Sequence, residues 1–309
     1  MNTSKSSLSF LTKWILIGLT LISLYLLSFK YLIDKRPFVE WTMINVNSKE
    51  LQADAHLLKM PDGKIILIDV GDPDSILVPY LKKQKVTDID LVLISHMHKD
   101  HYGGLPALLS AGVRIKEIRL NLPDKAQCAL EVPWGCDWAH IQETITLLQG
   151  KGIPVLEEKP GDIYYENGDT KLEVLYAYDG LHTPIGKTDL NNMSVLLRLS
   201  QGTTRVLYTG DLNASMGEYL ARNHCSELSA QILKVPHHGT ETVAPNSFFD
   251  CVASKVAMVP SPKNLWQSER SRRIREYFEG KHLTTYVNGL QGHVKVLLCG
   301  DEIKVKTAH

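Results

Sequence analysis

The sequence predicts an α/β architecture of the α+β kind, with mixed sheets and a separate apolar segment at its amino terminus. Three observations lead there. Short apolar runs of strand length recur along the chain and are bounded by turn residues. The first of these follow one another directly, and later ones alternate with helical stretches, which is not the order of a simple doubly wound sheet. No internal repeat is visible. The 309 residues suffice for one large domain or two small ones.

In chain order, Trp14–Phe29 (WILIGLTLISLYLLSF) is uncharged and mostly apolar, flanked by Lys13 and Lys30 and extended by Tyr31–Ile33. Its length suits a bilayer crossing at about 1.5 Å per residue. No small-x-small cleavage site or following cysteine favours a signal peptide or a lipoprotein. A single transmembrane anchor within residues 1–36 is therefore expected, followed by one domain over 37–309. Lys5 and Lys13 precede the segment and Lys30, Lys35 and Arg36 follow it, so flanking charge does not orient it. A short amino-terminal tail favours placing the domain on the extracytoplasmic side of a single-pass membrane protein.

Strands are expected at 41–46, 53–59 and 64–69, with Pro61-Asp62-Gly63-Lys64 as a turn between the last two. A helix at 73–83 and a strand at 90–95 (DLVLIS) follow, then a helix at 103–111. Further strands are expected at 153–156, 171–176, 194–200, 205–209, 231–235, 255–259, 284–287 and 294–298. Helices are expected at 138–149, 215–223 and 269–278.

Lys plus Arg and Asp plus Glu both number 34, so no global field holds a polyanion. None of the five cysteines forms a C-x-x-C pair, which argues against a zinc ribbon or a thioredoxin-like site. Cys128 and Cys136 lie in a loop-like stretch with Pro133 and Gly135; a disulfide and two free thiols are both open to them. P-loop, G-x-S-x-G and H-E-x-x-H signatures are absent. The arginines at 270, 272, 273 and 275 read as a solvated helix face more readily than as a phosphate site.

The chemistry concentrates in Ser95-His96-Met97-His98-Lys99-Asp100-His101. Three imidazoles and a carboxylate directly after a buried strand are ligands for zinc, iron or manganese. His96 and His98 alternate past the strand end and point the same way. Asp100 and His101 enter a helix beyond, facing a second position a few Å away. Two ions at about 3.5–4 Å suit hydrolytic displacement. Gly103-Gly104 permits tight backbone beside the site.

This H-x-H-x-D-H segment resembles the signature of the metallo-β-lactamase superfamily. Two later segments fit the same pattern: RVLYTGD, ending in Asp211, and ILKVPHHG, carrying His237 and His238. The resemblance covers about residues 39–305 and implies a four-layer αββα sandwich. It is closer to the hydrolase domain of the DNA-uptake protein ComEC and its stand-alone relatives, on PDGKIILIDVG, Asn191-Asn192-Met193-Ser194, TGD and KVPHHGT. A bacterial inner membrane is the expected setting.

The resemblance implies a metal-dependent hydrolase with two divalent ions, zinc first and manganese or iron as alternatives. His96 and His98 would hold one ion. Asp100, His101 and His237 (or His238) would hold the other, with Asp211 bridging. Asp100 and Asp211 are the catalytic candidates. Asn-Asn-x-Ser stands where many members have a histidine, so the first ion's third ligand is open among Asn192, His182 and water. Asp69 could hold a ligand histidine's far nitrogen. The expected substrate is a phosphodiester, including single-stranded nucleic acid; small esters, lactones or β-lactams are the alternative. A non-enzymatic role in an uptake or envelope complex is a third reading. Two departures stand near the expected rim: Lys49–Asp54 keeps Asp54 without the branch's glycines, and Ser261–Gln267 lacks its histidine. His293 reads as a solvated histidine.

Overall fold

A computed structural model describes residues 14–15, 17–23, 38–47, 51–74, 76–132, 135–180, 189–240 and 242–308. The chain divides into Met1–Pro37 and Phe38–His309. In the first unit, residues 14–15 and 17–23 are helical. Among the described residues no helix is long and apolar enough to cross a membrane. A crossing takes about 20 residues, more than the described helical residues supply. The expected single-pass anchor, and the extracytoplasmic placement built on it, are therefore corrected; the remainder of the expected segment lies outside the described residues.

In the second unit, strands β1 (Val39–Met43), β2 (Ala55–Lys59) and β3 (Ile65–Val70) precede helix α1 (Leu77–Lys83). Then come β4 (Asp88–Ile89), β5 (Leu91–Ile94), α2 (Lys99–Tyr102), α3 (Leu105–Ser110), β6 (Arg114–Ile115) and β7 (Ile118–Leu120). Helices α4 (Lys125–Leu130) and α5 (Trp138–Gly150) lead to β8 (Val155–Leu156), β9 (Ile163–Asn167) and β10 (Thr170–Tyr176). The remaining elements are β11 (Leu196–Gln201), β12 (Thr204–Tyr208), α6 (Ala214–Asn223), β13 (Ile232–Lys234), α7 (Asn246–Val252), β14 (Val256–Val259), α8 (Lys263–Gln267), α9 (Arg272–Gly280), β15 (Thr284–Val287), α10 (Asn288–Gln291), β16 (Val294–Cys299) and β17 (Glu302–Thr307).

One sheet has the order β17-β16-β1-β2-β3-β5-β7-β8 and the other β15-β14-β13-β12-β11-β10-β9. Both are mixed. β3, β5, β7 and β8 run parallel in the first, and β12 to β15 run parallel in the second. The layers follow from strands buried on both faces. In β3, Ile66 and Ile68 join Trp41, Leu93, Leu197, Val206 and Tyr208 between the sheets. Leu67, Val92 and Ile94 face outward onto α1, α3 and α5 through Leu81, Leu105 and Leu148. On the far side Leu207, Leu233 and Val259 meet Met216, Phe248, Trp266 and Phe278. The result is helices, sheet, sheet, helices, and it explains why KIILID and DLVLIS read as unbroken apolar runs rather than alternating ones.

Two disulfides are present. Cys128–Cys136 closes across the end of α4, and Cys225–Cys251 ties the turn after α6 to α7. The first settles the alternative left open by the sequence. Cys225–Cys251 had no local signal, because 26 positions separate its ends.

Candidate metal centre

The residues singled out from sequence gather where the parallel strands of both sheets end, the usual place for a site in open α/β sheets. Beyond β5 the chain bends through Ser95 and His96, and α2 carries Asp100 and His101. Gly104 makes the approach of this loop possible. A Cβ there would stand 2.2 Å from the Val70 carbonyl oxygen, while its N–H donates to Gly71 O at 3.0 Å. His101 is thereby brought beside Asp69.

Asp69 has a left-handed backbone, φ 57°, a conformation that costs energy for a residue with a Cβ. Its carboxylate is well compensated: Ser95 N and Oγ lie at 2.7 and 2.8 Å, and His101 Nδ1 at 2.8 Å. Holding Nδ1 leaves His101 Nε2 to face inward. His238 is oriented the same way, with Nδ1 2.7 Å from Pro260 O. Ser95 Oγ stands 3.1 Å from His96 Nδ1.

The donor atoms of Asp100, His101, Asp211 and His238 all lie within 4.8 Å of one another. Asp211 Oδ2 is 3.2 Å from His101 Nε2 and 3.1 Å from His238 Nε2, and Asp100 Oδ2 is 3.3 Å from His238 Nε2. The Nε2 atoms of His96, His98, His101 and His238 are all buried, and none forms an aligned hydrogen bond. Buried polar atoms are ordinarily satisfied. Four such nitrogens beside two carboxylates fit divalent ions, whose ligands these side chains are.

The histidine expected from sequence was His237, and here the structure differs. His237 and His238 both have positive φ, 47° and 53°, within the 3-10 turn Pro236–Gly239. This left-handed pair turns His238 into the cluster and leaves His237 on the cavity wall, its Nδ1 2.8 Å from Thr242 Oγ1. Asn192 donates its Nδ2 to Ser215 Oγ at 2.9 Å, and its Oδ1 is buried without a hydrogen-bond partner. Ser194, from the same segment, is the residue that reaches the site. Its Oγ accepts from Asp211 N at 2.9 Å, and Val195 N donates to Ser95 O. His182 lies outside the described residues.

Sequence reasoning missed Lys234. The last residue of β13, it is 1% exposed. Its Nζ donates to Gly210 O at 2.7 Å, pairs with Asp54, and lies 3.4 Å from Asp211 Oδ1. Asp54 also faces His56 Nε2 at 3.3 Å, and His56 Nδ1 accepts from Trp41 Nε1. A lysine inside an otherwise apolar strand was the available signal, since buried lysines are rare unless paired.

The electrostatics follow from burial and these pairings. Burial opposes the charge on His238, but Asp211 and then Asp100 outweigh it and lift the imidazole to about 10. His101 is likewise raised well above its usual range, with Asp211, Asp69 and Asp100 overcoming burial. Asp100 is brought down to about 2, burial being outweighed by His101 and His238. His96 is held well below its usual value by burial and by the neighbouring His101 and His98.

The centre opens into a cavity of about 1410 Å³ lined by His98, Asp100, Glu131, Asp211, His237 and Arg270, among others. The two segments expected at the rim are there, through Leu51 and Gln52 and through Asn264 and Leu265. The other arginines are structural or solvated. Arg273 donates to Val243 O and Ala244 O, Arg275 to Ser268 O, and Arg272 pairs with Glu269. His293 is half-buried: it accepts from Asn45 N at 3.0 Å and packs on Tyr80.

Residues 49–119 match the sequence model of the metallo-beta-lactamase superfamily. Among curated proteins the chain is 26% identical over 226 residues to the uncharacterized protein YcaI of Escherichia coli (strain K12), covering 70% of this chain and 25% of that protein. It is 26% identical over 191 residues to ComE operon protein 3 of Bacillus subtilis (strain 168), covering 62% of this chain and 22% of that one. The chain thus spans about a quarter of the length of these relatives. Among solved structures, CmlA, a diiron β-hydroxylase from Streptomyces venezuelae, aligns with a TM-score of 0.50 at 11% identity, covering 85% of this chain and 54% of that one; this likeness concerns the fold. Sequence and fold point the same way: residues 49–119 match the metallo-beta-lactamase superfamily, and the chain is similar to these relatives over about two thirds of its length.

Proposed function

We propose that the chain is a hydrolase that uses two divalent ions, zinc by preference, on phosphodiester substrates of the nucleic-acid type. The observation that carries the reading is the clustering of Asp100, His101, Asp211 and His238 donor atoms within 4.8 Å, with the buried Nε2 atoms of His96 and His98 nearby, at an open cavity. His96 and His98 would hold one ion and Asp100, His101 and His238 the other, with Asp211 between them. Bound ions would supply Lewis acidity and lower the pKa of water. The chain's own groups do the rest. Asp69 and Pro260 O fix the two ligand imidazoles by their Nδ1 atoms. Lys234 pins Asp211 from behind. Asp100, partly exposed to the cavity, orients the attacking water and accepts its proton. Lys99 and Arg270 line the same cavity and offer positive charge to a phosphate. Similarity to ComE operon protein 3, and to Competence protein ComA of Neisseria gonorrhoeae, supports the nucleic-acid class.

The test is one preparation of the full chain, assayed for metal content and against bis-p-nitrophenyl phosphate, single-stranded DNA and a chromogenic β-lactam. Phosphodiester cleavage that falls at least about a hundredfold in Asp211→Ala is expected, as for removal of a group acting on the transition state. Activity on the β-lactam alone would transfer the site to small cyclic amides and esters. Full activity in Asp211→Ala would refute the mechanism.

A further inference from the structure

We propose that Glu131 is the third protein ligand of the first ion position, beside His96 and His98. The inference rests on the metal-dependent reading above.

His96, His98 and a share of Asp211 leave one place of a four-coordinate site without a protein ligand of its own. His96 is 1% exposed, and its ring lies 4.7 Å from that of His98. Both Nε2 atoms are buried without a partner, so a donor set is present and incomplete. Three side chains compete to complete it. Asn192 keeps a buried Oδ1 without a hydrogen-bond partner, but its Nδ2 is tied to Ser215 and the residue does not line the cavity. Asp189 lines it, but both its oxygens are taken, Oδ1 by Asn192 N at 3.0 Å and Oδ2 by Asn213 Nδ2 at 2.8 Å.

Glu131 differs on each count. Its carboxylate lines the cavity and is 7% exposed. One oxygen, Oε1, accepts from Leu190 N. The other, Oε2, faces His98 Nε2 at 3.9 Å, beyond hydrogen-bonding distance and with space between the two atoms for an ion.

The local structure places this carboxylate. Helix α4 starts on a capping box in which Asp124 and Gln127 exchange hydrogen bonds, and Glu131 is the residue that ends it. The Cys128–Cys136 disulfide then closes the loop on which Glu131 sits. A closed loop loses less freedom on presenting a ligand than an open one. Oε1 bound to Leu190 N fixes the carboxylate rotation from the other side. A glutamate between two cysteines, rather than the Asn-Asn-x-Ser segment, thus fills the place where many metallo-β-lactamase relatives carry a histidine.

Cobalt(II) titration of the full chain, read by visible absorption and by metal analysis after desalting, tests this without an activity assay. The wild type is expected to take two equivalents. Glu131→Gln is expected to keep one and to weaken the other at least about tenfold, the minimum seen even for residues that only support a ligand, with a changed visible band. His98→Ala should lose the same equivalent. Melting followed by circular dichroism checks that each variant folds. If the glutamine variant does not fold, Glu131→Asp carries the test, because it keeps the charge and withdraws the carboxylate by one methylene.

Two equivalents with wild-type affinity and spectrum in a folded Glu131 variant, while His98→Ala loses one, would overturn the proposal and leave the metal reading intact. The same follows if Asn192→Ala loses the equivalent that Glu131→Gln keeps. A wild type binding less than one equivalent would overturn both.

Discussion

Replacing Lys234 with Met isolates what a buried ammonium does at this centre. The methionine keeps most of the stem and its packing, and removes the charge together with the hydrogen bond to Gly210 O. Asp54 is 0% exposed and Asp211 1%, and Lys234 lies against both. At 3.4 Å from Asp211 Oδ1, one such pair at an effective dielectric of 20 is worth ~5 kcal/mol in Coulomb energy before desolvation. Removing one partner of a buried pair costs about 3–5 kcal/mol, because the other charge stays buried and unpaired. For a domain of this size each kcal/mol moves the melting temperature by roughly 2–4 °C, so Lys234→Met should melt roughly 6–20 °C lower in EDTA. Adding Asp54→Asn removes the stranded charge, and the double variant should recover part of the loss. The assay is thermal unfolding by circular dichroism for wild type, both singles and the double. A Lys234→Met protein melting within about 2 °C of wild type, or a double variant showing the plain sum of the single losses, would refute the reasoning.

Two further outcomes follow from named contacts. Gly104→Ala drives a Cβ into the Val70 carbonyl and should cost about 1–3 kcal/mol, as overpacking does. It should also weaken metal uptake by moving His101 away from Asp69, and an unchanged melting temperature would count against this close approach. Glu158 is 3% exposed, both its oxygens lack an aligned hydrogen bond, and burial followed by Asp69 pushes its carboxyl well above the usual range. A raised folded value means its stabilising contribution is complete below the unfolded pKa, about 4.3, and is lost as pH rises through the folded one. Glu158→Gln should therefore gain on the wild type between pH 4 and pH 8, by about 1–3 kcal/mol at the upper end; an equal difference in melting temperature at both pH values would sink the argument.

What the sequence disclosed of this site was what one segment of chain carries by itself. His96 to His101 were legible because four candidate ligands, three histidines and an aspartate, crowd into six positions after an apolar strand. Asp69 was legible as the polar end of KIILID, and it does hold the far nitrogen of His101. The choice between His237 and His238 was not, because a left-handed backbone at both residues decides which ring turns inward, and local sequence does not fix that geometry. Lys234 and Glu131 depend on partners far along the chain: Asp54 lies 180 positions before Lys234, and His98 sits on another loop from Glu131. The strands that escaped notice tell the same story. β17 is an edge strand in which every other residue is exposed and Lys304 and Lys306 recur, a pattern suited to protecting an edge, with only Ile303 and Val305 on its core-facing side. β9, at the edge of the other sheet, buries only Tyr165 fully.

The clustered donors are drawn from both halves of the sandwich: Asp100 and His101 follow β5 in one sheet, while Asp211 and His238 follow β12 and β13 in the other. Neither sheet alone can assemble the set, so the centre also reports whether the two sheets are docked. An ion held there would work as a rivet across the seam. Its grip would scale with supply, adding about 2.7 kcal/mol at a free concentration a hundred times its dissociation constant. Depletion of the ion would then be felt first as slackening between the sheets at their cavity end, while the pairing of β16 with β17 at the outer edge would be untouched.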